Sequence, residues 1–201
     1  MNPHHGEMMA LAAAFVFAWT SVFFTEAGRR LGVTLVNLLR LPGAALCLAI
    51  THRVFAGHWW PEGLAATDQA WIGLSGIVGL AIGDSALFRA FTHIGPRRSM
   101  TLMALAPVFT VIVAWFALAE QLGLVALLGI VLIIGGVITA NAGKVGSGTF
   151  GHIEPRAFRL GIALALVGSL GQGLGSVFAK LGMVGGSGVD PLGATLVRVV
   201  W

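Results

Sequence analysis

Charge is scarce in this chain. Asp, Glu, Lys and Arg make up 10% of its 201 residues, against roughly 25% in soluble globular proteins. The pI of about 10.6 does not imply a nucleic-acid partner, because the basic residues sit at the ends of apolar runs and not along one surface. Loop charge under the positive-inside rule accounts for them. Cysteine occurs once, as Cys47 inside an apolar run, so an internal disulfide is excluded and the redox compartment is unreadable. The chain has no phosphate-cradling GxxxxGK[ST] loop, which removes a nucleotide-hydrolysing engine. Paired His/Glu metal spacing and a nucleophile beside a base are also missing, so neither metal, cofactor nor enzyme activity is expected. His4-His5 is too short to be a tag and is a weak metal signal. His52, Arg53, His58, Glu62 and Asp68 share one side of the membrane, but at no recognisable catalytic spacing. The first seven residues lack the positive region and cleavage site of a secretory signal. The first apolar run therefore reads as a retained helix.

What the chain does have is long apolar runs. Mean hydropathy is +0.90 and 57% of residues are hydrophobic. Stretches of about 20 nearly uncharged residues match the length a helix needs to cross the ~30 Å hydrocarbon core. Unsatisfied backbone groups in lipid cost several kcal/mol each, so such runs must be helices. Six complete spans are predicted at 8–27, 34–55, 70–90, 99–118, 122–141 and 158–181, and a seventh begins near Pro191 and is cut off at Trp201. The fold class is all-α, a polytopic transmembrane bundle. The link Glu120-Gln121 is short enough to force a tight antiparallel hairpin, with Glu120 as its interfacial cap.

An internal repeat organises these spans. Ala10-Leu11 aligns with Ala165-Leu166 and Ser21-Val22-Phe23 with Ser176-Val177-Phe178 without a gap. After a three-residue insertion Arg40 falls on Arg198. The match begins after five spans, and an odd number inverts the second copy in the membrane, as in secondary transporters. The expected organisation is a first five-helix repeat at 1–143, a linker at 144–157 and the start of a second repeat at 158–201.

The stretch Gly83-Asp84-Ser85-Ala86-Leu87-Phe88-Arg89-Ala90-Phe91, then Ile94-Gly95-Pro96-Arg97-Arg98, then Leu105-Ala106-Pro107-Val108-Phe109-Thr110 and Leu118-Ala119-Glu120 carries a resemblance. With Gly129, Gly135 and Gly136 it resembles the EamA-type branch of the drug/metabolite transporter superfamily. The resemblance implies two five-helix repeats, ten helices in all, rocking about a pocket near the midplane. This chain would hold the first repeat and the opening of the second. It would then move solute only as two assembled copies, or with a remainder beyond Trp201 carrying a second Asp84-to-Glu120 pattern. Small four-helix exporters of the superfamily carry a glutamate inside the first helix. Here Trp19 and apolar residues stand there and Glu26 comes only at the end, so that proton-coupling scheme does not carry over.

Charged and polar groups inside spans are functional suspects. Asp84 follows Gly76, Gly79 and Gly83, which share a helical face and permit close helix contact. It reads either as a binder of a cationic group or proton, or as a paired carboxylate fixing helix packing. Arg40, followed by Pro42-Gly43, reads as attracting an anion, pairing with Asp84, or snorkelling to the headgroups. Pro107 should kink the fourth span and shape a pocket. Trp19 and Ser21 occupy the middle to later part of span one, where lining a pocket and ordinary packing fit equally. Gln172 lies in a glycine-dense helix and reads as reaching substrate or bonding across a helix contact. Lys180 reads as an interfacial anchor.

The expected function is that of a secondary transporter moving a small metabolite or drug by alternating access. Spans one, three, four and six line its pocket through Trp19, Ser21, Asp84, Pro107 and Gln172, with Arg40 in reserve. Its partners are membrane lipid and a small-molecule substrate, with a coupling proton or ion and homo-oligomerisation left open. Its place is the inner membrane of a bacterium or archaeon. Loop charge puts the N-terminus outside, whereas the resemblance implies inside. The rival is a non-transporting membrane scaffold or lipid-binding assembly protein, supported by the mostly uncharged interior.

Overall fold

A computed structural model describes residues 5–118, 122–142, 154–184 and 189–201. The expected Glu120-Gln121 hairpin, His4 and residues 144–153 of the expected 144–157 linker lie outside the described residues, whereas 155–157 already belong to a helix.

All regular structure among the described residues is helical, and the chain is a polytopic helical bundle. Among the described residues, six helices are long and apolar enough to cross a membrane: Met8–Leu31, Val33–Ala56, Ala66–Ile94, Pro96–Ala117, Leu124–Ala142 and Pro155–Val184. Each coincides with a predicted span, although the third begins at Ala66, the fourth at Pro96 and the sixth at Pro155. Regular elements run α1 (His5–Leu31), α2 (Val33–Ala56), α3 (Ala66–Gly76), a π-helical stretch Ile77–Gly83, and α4 (Asp84–Ile94). Then come α5 (Pro96–Met103), α6 (Ala106–Leu118), α7 (Leu124–Ala142), α8 (Pro155–Val184) and the short α9 (Pro191–Val200).

Two glycines each join one helix directly to the next. Gly32 and Gly95 both sit at φ 83°, a left-handed backbone that costs glycine nothing. Each lets two helices follow with a single intervening residue. Pro96 then occupies the first turn of α5, where its missing N–H leaves no acceptor stranded. Pro107 acts differently. It lacks the N–H that would bond the Met103 carbonyl, and the fourth span breaks just before it. Ala104 N–H turns back to Met100 and Thr101, and Leu105 N–H bonds Leu102 O at 3.0 Å.

Helix directions follow from which residues meet. The Phe24 and Phe88 ring centroids lie 4.8 Å apart and Gly28 faces Thr92, so α1 runs parallel to the third span. On α8, Gly161 faces Ile94, Gly168 faces Leu87, Gly175 faces Gly79 and Gly182 faces Ile72. There the numbers fall as they rise on α8, and the two helices are antiparallel. The first and sixth spans therefore run in opposite directions. The fourth span runs with α8, since Ser169 Oγ donates to Leu102 O at 2.9 Å and Gly173 faces Phe109.

The core lies where α8 presses on the third span. A Cβ on Gly171 would stand 2.9 Å from Gly83 Cα, and one on Gly175 would stand 3.1 Å from Gly79 Cα. The helices thus touch backbone to backbone, the small-residue contact that holds bundles together when lipid is as apolar as leucine. One flank is filled by Ala90, Ile94, Leu102, Val137 and Ala165, the other by Val36, Leu87, Phe88 and Phe91. By contrast α1 and α7 turn large apolar side chains outward, among them Phe15, Trp19, Leu128 and Leu132.

Candidate functional site

The π-helical stretch ends at Gly83, and Asp84 opens α4 with its backbone N–H bonded to Gly79 O. Such wide turns recur at functional sites. The Asp84 side chain is 5% exposed and faces into the bundle, at the packed interface expected from the glycine series.

Helices α2 and α8 supply its side-chain partners, and α9 reaches one of those partners. Arg40 of α2 donates from Nη2 to Asp84 Oδ2 at 2.7 Å. Gln172 of α8 donates from Nε2 to Asp84 Oδ1 at 2.6 Å, and the same amide reaches Gly79 O at 3.3 Å. Arg198 of α9 donates from Nη2 to Gln172 Oε1 at 3.3 Å. The Arg40 guanidinium lies 4.9 Å from the Phe88 ring centroid and 5.7 Å from that of Phe24, inside cation–π range. The Nε atoms of Arg40 and Arg198 are buried with no hydrogen-bond partner among the described residues.

The glycine series makes room for Arg198. A Cβ on Gly76 would fall 1.9 Å from the Arg198 carbonyl oxygen, and one on Gly79 would fall 2.6 Å from Arg198 Nη2. Sequence patterning accounts for those glycines by helix contact alone. The structure adds that they admit the backbone and side chain of α9.

Beside this cluster lies a cavity of about 490 Å³ between α2, the third span and α9, with Thr34, Asn37, Leu41, Ser85, Arg198 and Trp201 among its walls. Asn37 Nδ2 donates to Ser85 Oγ at 2.6 Å, tying α2 to α4 at its edge.

Of the residues expected to serve the site, Arg40, Asp84 and Gln172 are brought together. Arg40 pairs with Asp84 and does not snorkel, and Gln172 bonds across a helix contact. Trp19, Ser21 and Pro107 stand apart from the cluster. Trp19 is 64% exposed, edge-on to Phe23 with centroids 6.3 Å apart, beside a shallow recess with Phe15 and Thr20. Ser21 is buried and donates to Ala18 O at 2.7 Å. Pro107 lies in the first turn of α6. The 490 Å³ cavity sits between spans two, three and seven, whereas the expected lining was spans one, three, four and six. Arg198, Asn37 and Ser85 were missed as site residues. The signal for Arg198 was present, since the repeat aligns it with Arg40.

Comparison with known families places residues 4–142, more than half the chain, within the model of the EamA-like transporter family. No curated protein and no solved structure matches the chain.

Proposed function

The chain belongs to the EamA-like transporter family, and from that membership we propose that it moves a small metabolite or drug across a membrane by alternating access. It is an integral membrane protein whose described residues include six apolar helices of spanning length. In our reading these helices lie in a bacterial or archaeal inner membrane, as a first repeat (1–143), a linker (144–157) and the opening of an inverted second repeat (158–201).

One observation carries the reading. The Arg40–Asp84–Gln172–Arg198 chain of hydrogen bonds ties the second and third helices to the sixth and seventh, across the seam between the two repeats. The opposite running directions of α1 and α8 support an inverted relationship, with the substrate site near the midplane between the halves. Rocking one half on the other requires a contact that holds one arrangement and releases in the next. A hydrogen-bonded ion pair on a glycine-lined interface suits that task. Arg40, Asp84 and Gln172 form the gate, Trp19 and Ser21 meet substrate from the first helix, and the break before Pro107 lets the fourth helix yield. Lipid surrounds the bundle, and a proton or ion, or a second copy of the chain, completes the cycle.

The full pairing of Asp84 also favours a second reading, in which the carboxylate is a permanent structural tie in a non-transporting membrane protein. Flux in proteoliposomes separates the two. The transport reading expects solute uptake that Asp84→Asn abolishes or slows at least tenfold. No uptake of any solute by wild-type protein, together with an indistinguishable Asp84→Asn variant, would overturn it.

A further inference from the structure

We propose that the cavity between α2, the third span and α9 binds a small organic anion with an apolar body, its carboxylate held by Arg198. The proposal names the substrate class of the transport reading and rests on it.

Charge is the first argument. The cluster holds two guanidiniums, Arg40 and Arg198, and one carboxylate, Asp84. Asp84 Oδ2 is taken by Arg40 and Oδ1 by Gln172. Arg198 donates to a neutral acceptor, Gln172 Oε1, and has no carboxylate at ion-pair distance among the described residues. A guanidinium does not shed its proton in proteins, so burial cannot neutralise it as it can a lysine. An unbalanced cation at membrane depth is costly and seeks a partner. An anion from outside the protein supplies the missing partner, and the planar fork of arginine suits a carboxylate.

Shape is the second argument. About 490 Å³ falls within the size range of small-molecule sites. Leu38, Leu41, Leu80 and Trp201 form an apolar wall, while Thr34, Asn37 and Ser85 line the same cavity as Arg198. That lining suits one anionic group on an apolar body. A polyamine is repelled by the charge, and a sugar finds too few polar partners.

Depth is the third argument, and it selects a soluble anion over a lipid headgroup. The span Ala66–Ile94 has its midpoint at Leu80, four residues or about 6 Å before Asp84. Headgroups begin about 15 Å from the midplane, so a lipid phosphate would have to sink well into the hydrocarbon to reach this cluster.

The test is calorimetric titration of the whole protein in neutral phosphatidylcholine nanodiscs, with empty nanodiscs as blank. The probes are 3-phenylpropionate, 3-phenylpropylamine and 3-phenylpropanol, which share a body and differ in charge. Saturable one-to-one binding of the acid, at least tenfold tighter than the amine or the alcohol, is expected. Arg198→Gln should weaken the acid at least tenfold, Arg198→Lys less, and the exposed Arg159→Gln not at all. The wild-type probe series stands even if Arg198→Gln does not fold. Equal or tighter binding of the amine, absence of saturable acid binding, or full affinity in a folded Arg198→Gln protein would overturn the proposal. Loss of acid binding when phosphatidylglycerol replaces the neutral lipid would assign Arg198 to a headgroup and overturn it as well. Acid that binds but is not carried into proteoliposomes leaves the site standing and removes the transport reading. Uptake that favours cations does the reverse.

Discussion

Gln172 donates to Asp84 Oδ1 at 2.6 Å across 88 positions of sequence. That bond joins the sixth spanning helix to the third. It also turns the Gln172 carbonyl toward Arg198, so one neutral side chain links a carboxylate to a guanidinium that would otherwise stand alone.

Removing the carboxylate should leave Arg40 without its charged partner. Breaking a buried pair from one side costs about 3–5 kcal/mol, so Asp84→Asn should lower unfolding stability in detergent clearly. The Arg40→Gln/Asp84→Asn double variant should lose less than the two single losses combined. A coupling energy of about 1–3 kcal/mol is expected from denaturant titrations of the four proteins. A coupling near zero would show that the pair holds nothing.

The seam between α8 and the third span should tolerate no added carbon. Gly171→Ala places a methyl 2.9 Å from Gly83 Cα, and overpacking of this kind costs about 1–3 kcal/mol. Gly129→Ala, with open space at that position, should be neutral or slightly stabilising. Thermal unfolding of both variants by size-exclusion assay checks the contrast. Equal behaviour would mean the helices stand further apart.

Pro107→Ala restores an N–H able to bond the Met103 carbonyl and straighten the fourth span. Unfolding temperature should rise by a few degrees while solute flux falls severalfold, the exchange expected where activity needs a yielding element. A flux unchanged beside a raised unfolding temperature would reduce the break to a structural accident.

Trp19 is the sharpest test of the first helix. An exposed side chain contributes little to folding, so Trp19→Ala should change stability by less than about 0.5 kcal/mol. Flux should drop severalfold if its ring meets substrate. A purely lipid-facing tryptophan would leave both measurements alone.

The membrane pattern was legible because backbone satisfaction in lipid leaves only helices, and runs such as 122–141 have no other solution. Asp84 was legible for the same reason: a lone acid among glycines is costly unless something meets it. Its partners were harder to read. Arg40 had three open readings because a long side chain at that depth reaches either headgroup or helix neighbour, and only packing decides. Arg198 was aligned with Arg40 but passed over, since its environment depends on α9 lying across Gly76 and Gly79. The π-helical stretch left no trace in composition, because i→i+5 bonding answers to packing on α8 and not to residue type. Trp19 failed to join the cluster for a related reason, as hydrophobicity on every side of α1 cannot say which side meets protein.

The loose winding from Ile77 to Gly83 has a mechanical meaning. Each hydrogen-bonded ring of that kind closes over one residue more than a regular one, and one residue is worth about 100° of rotation. Rewinding a single such turn would spin the carboxylate away from both its donors while the span's two ends moved along the axis by little more than an ångström. Under the transport reading proposed above, a latch built this way would open by twisting in place, without prising the glycine-faced helices apart.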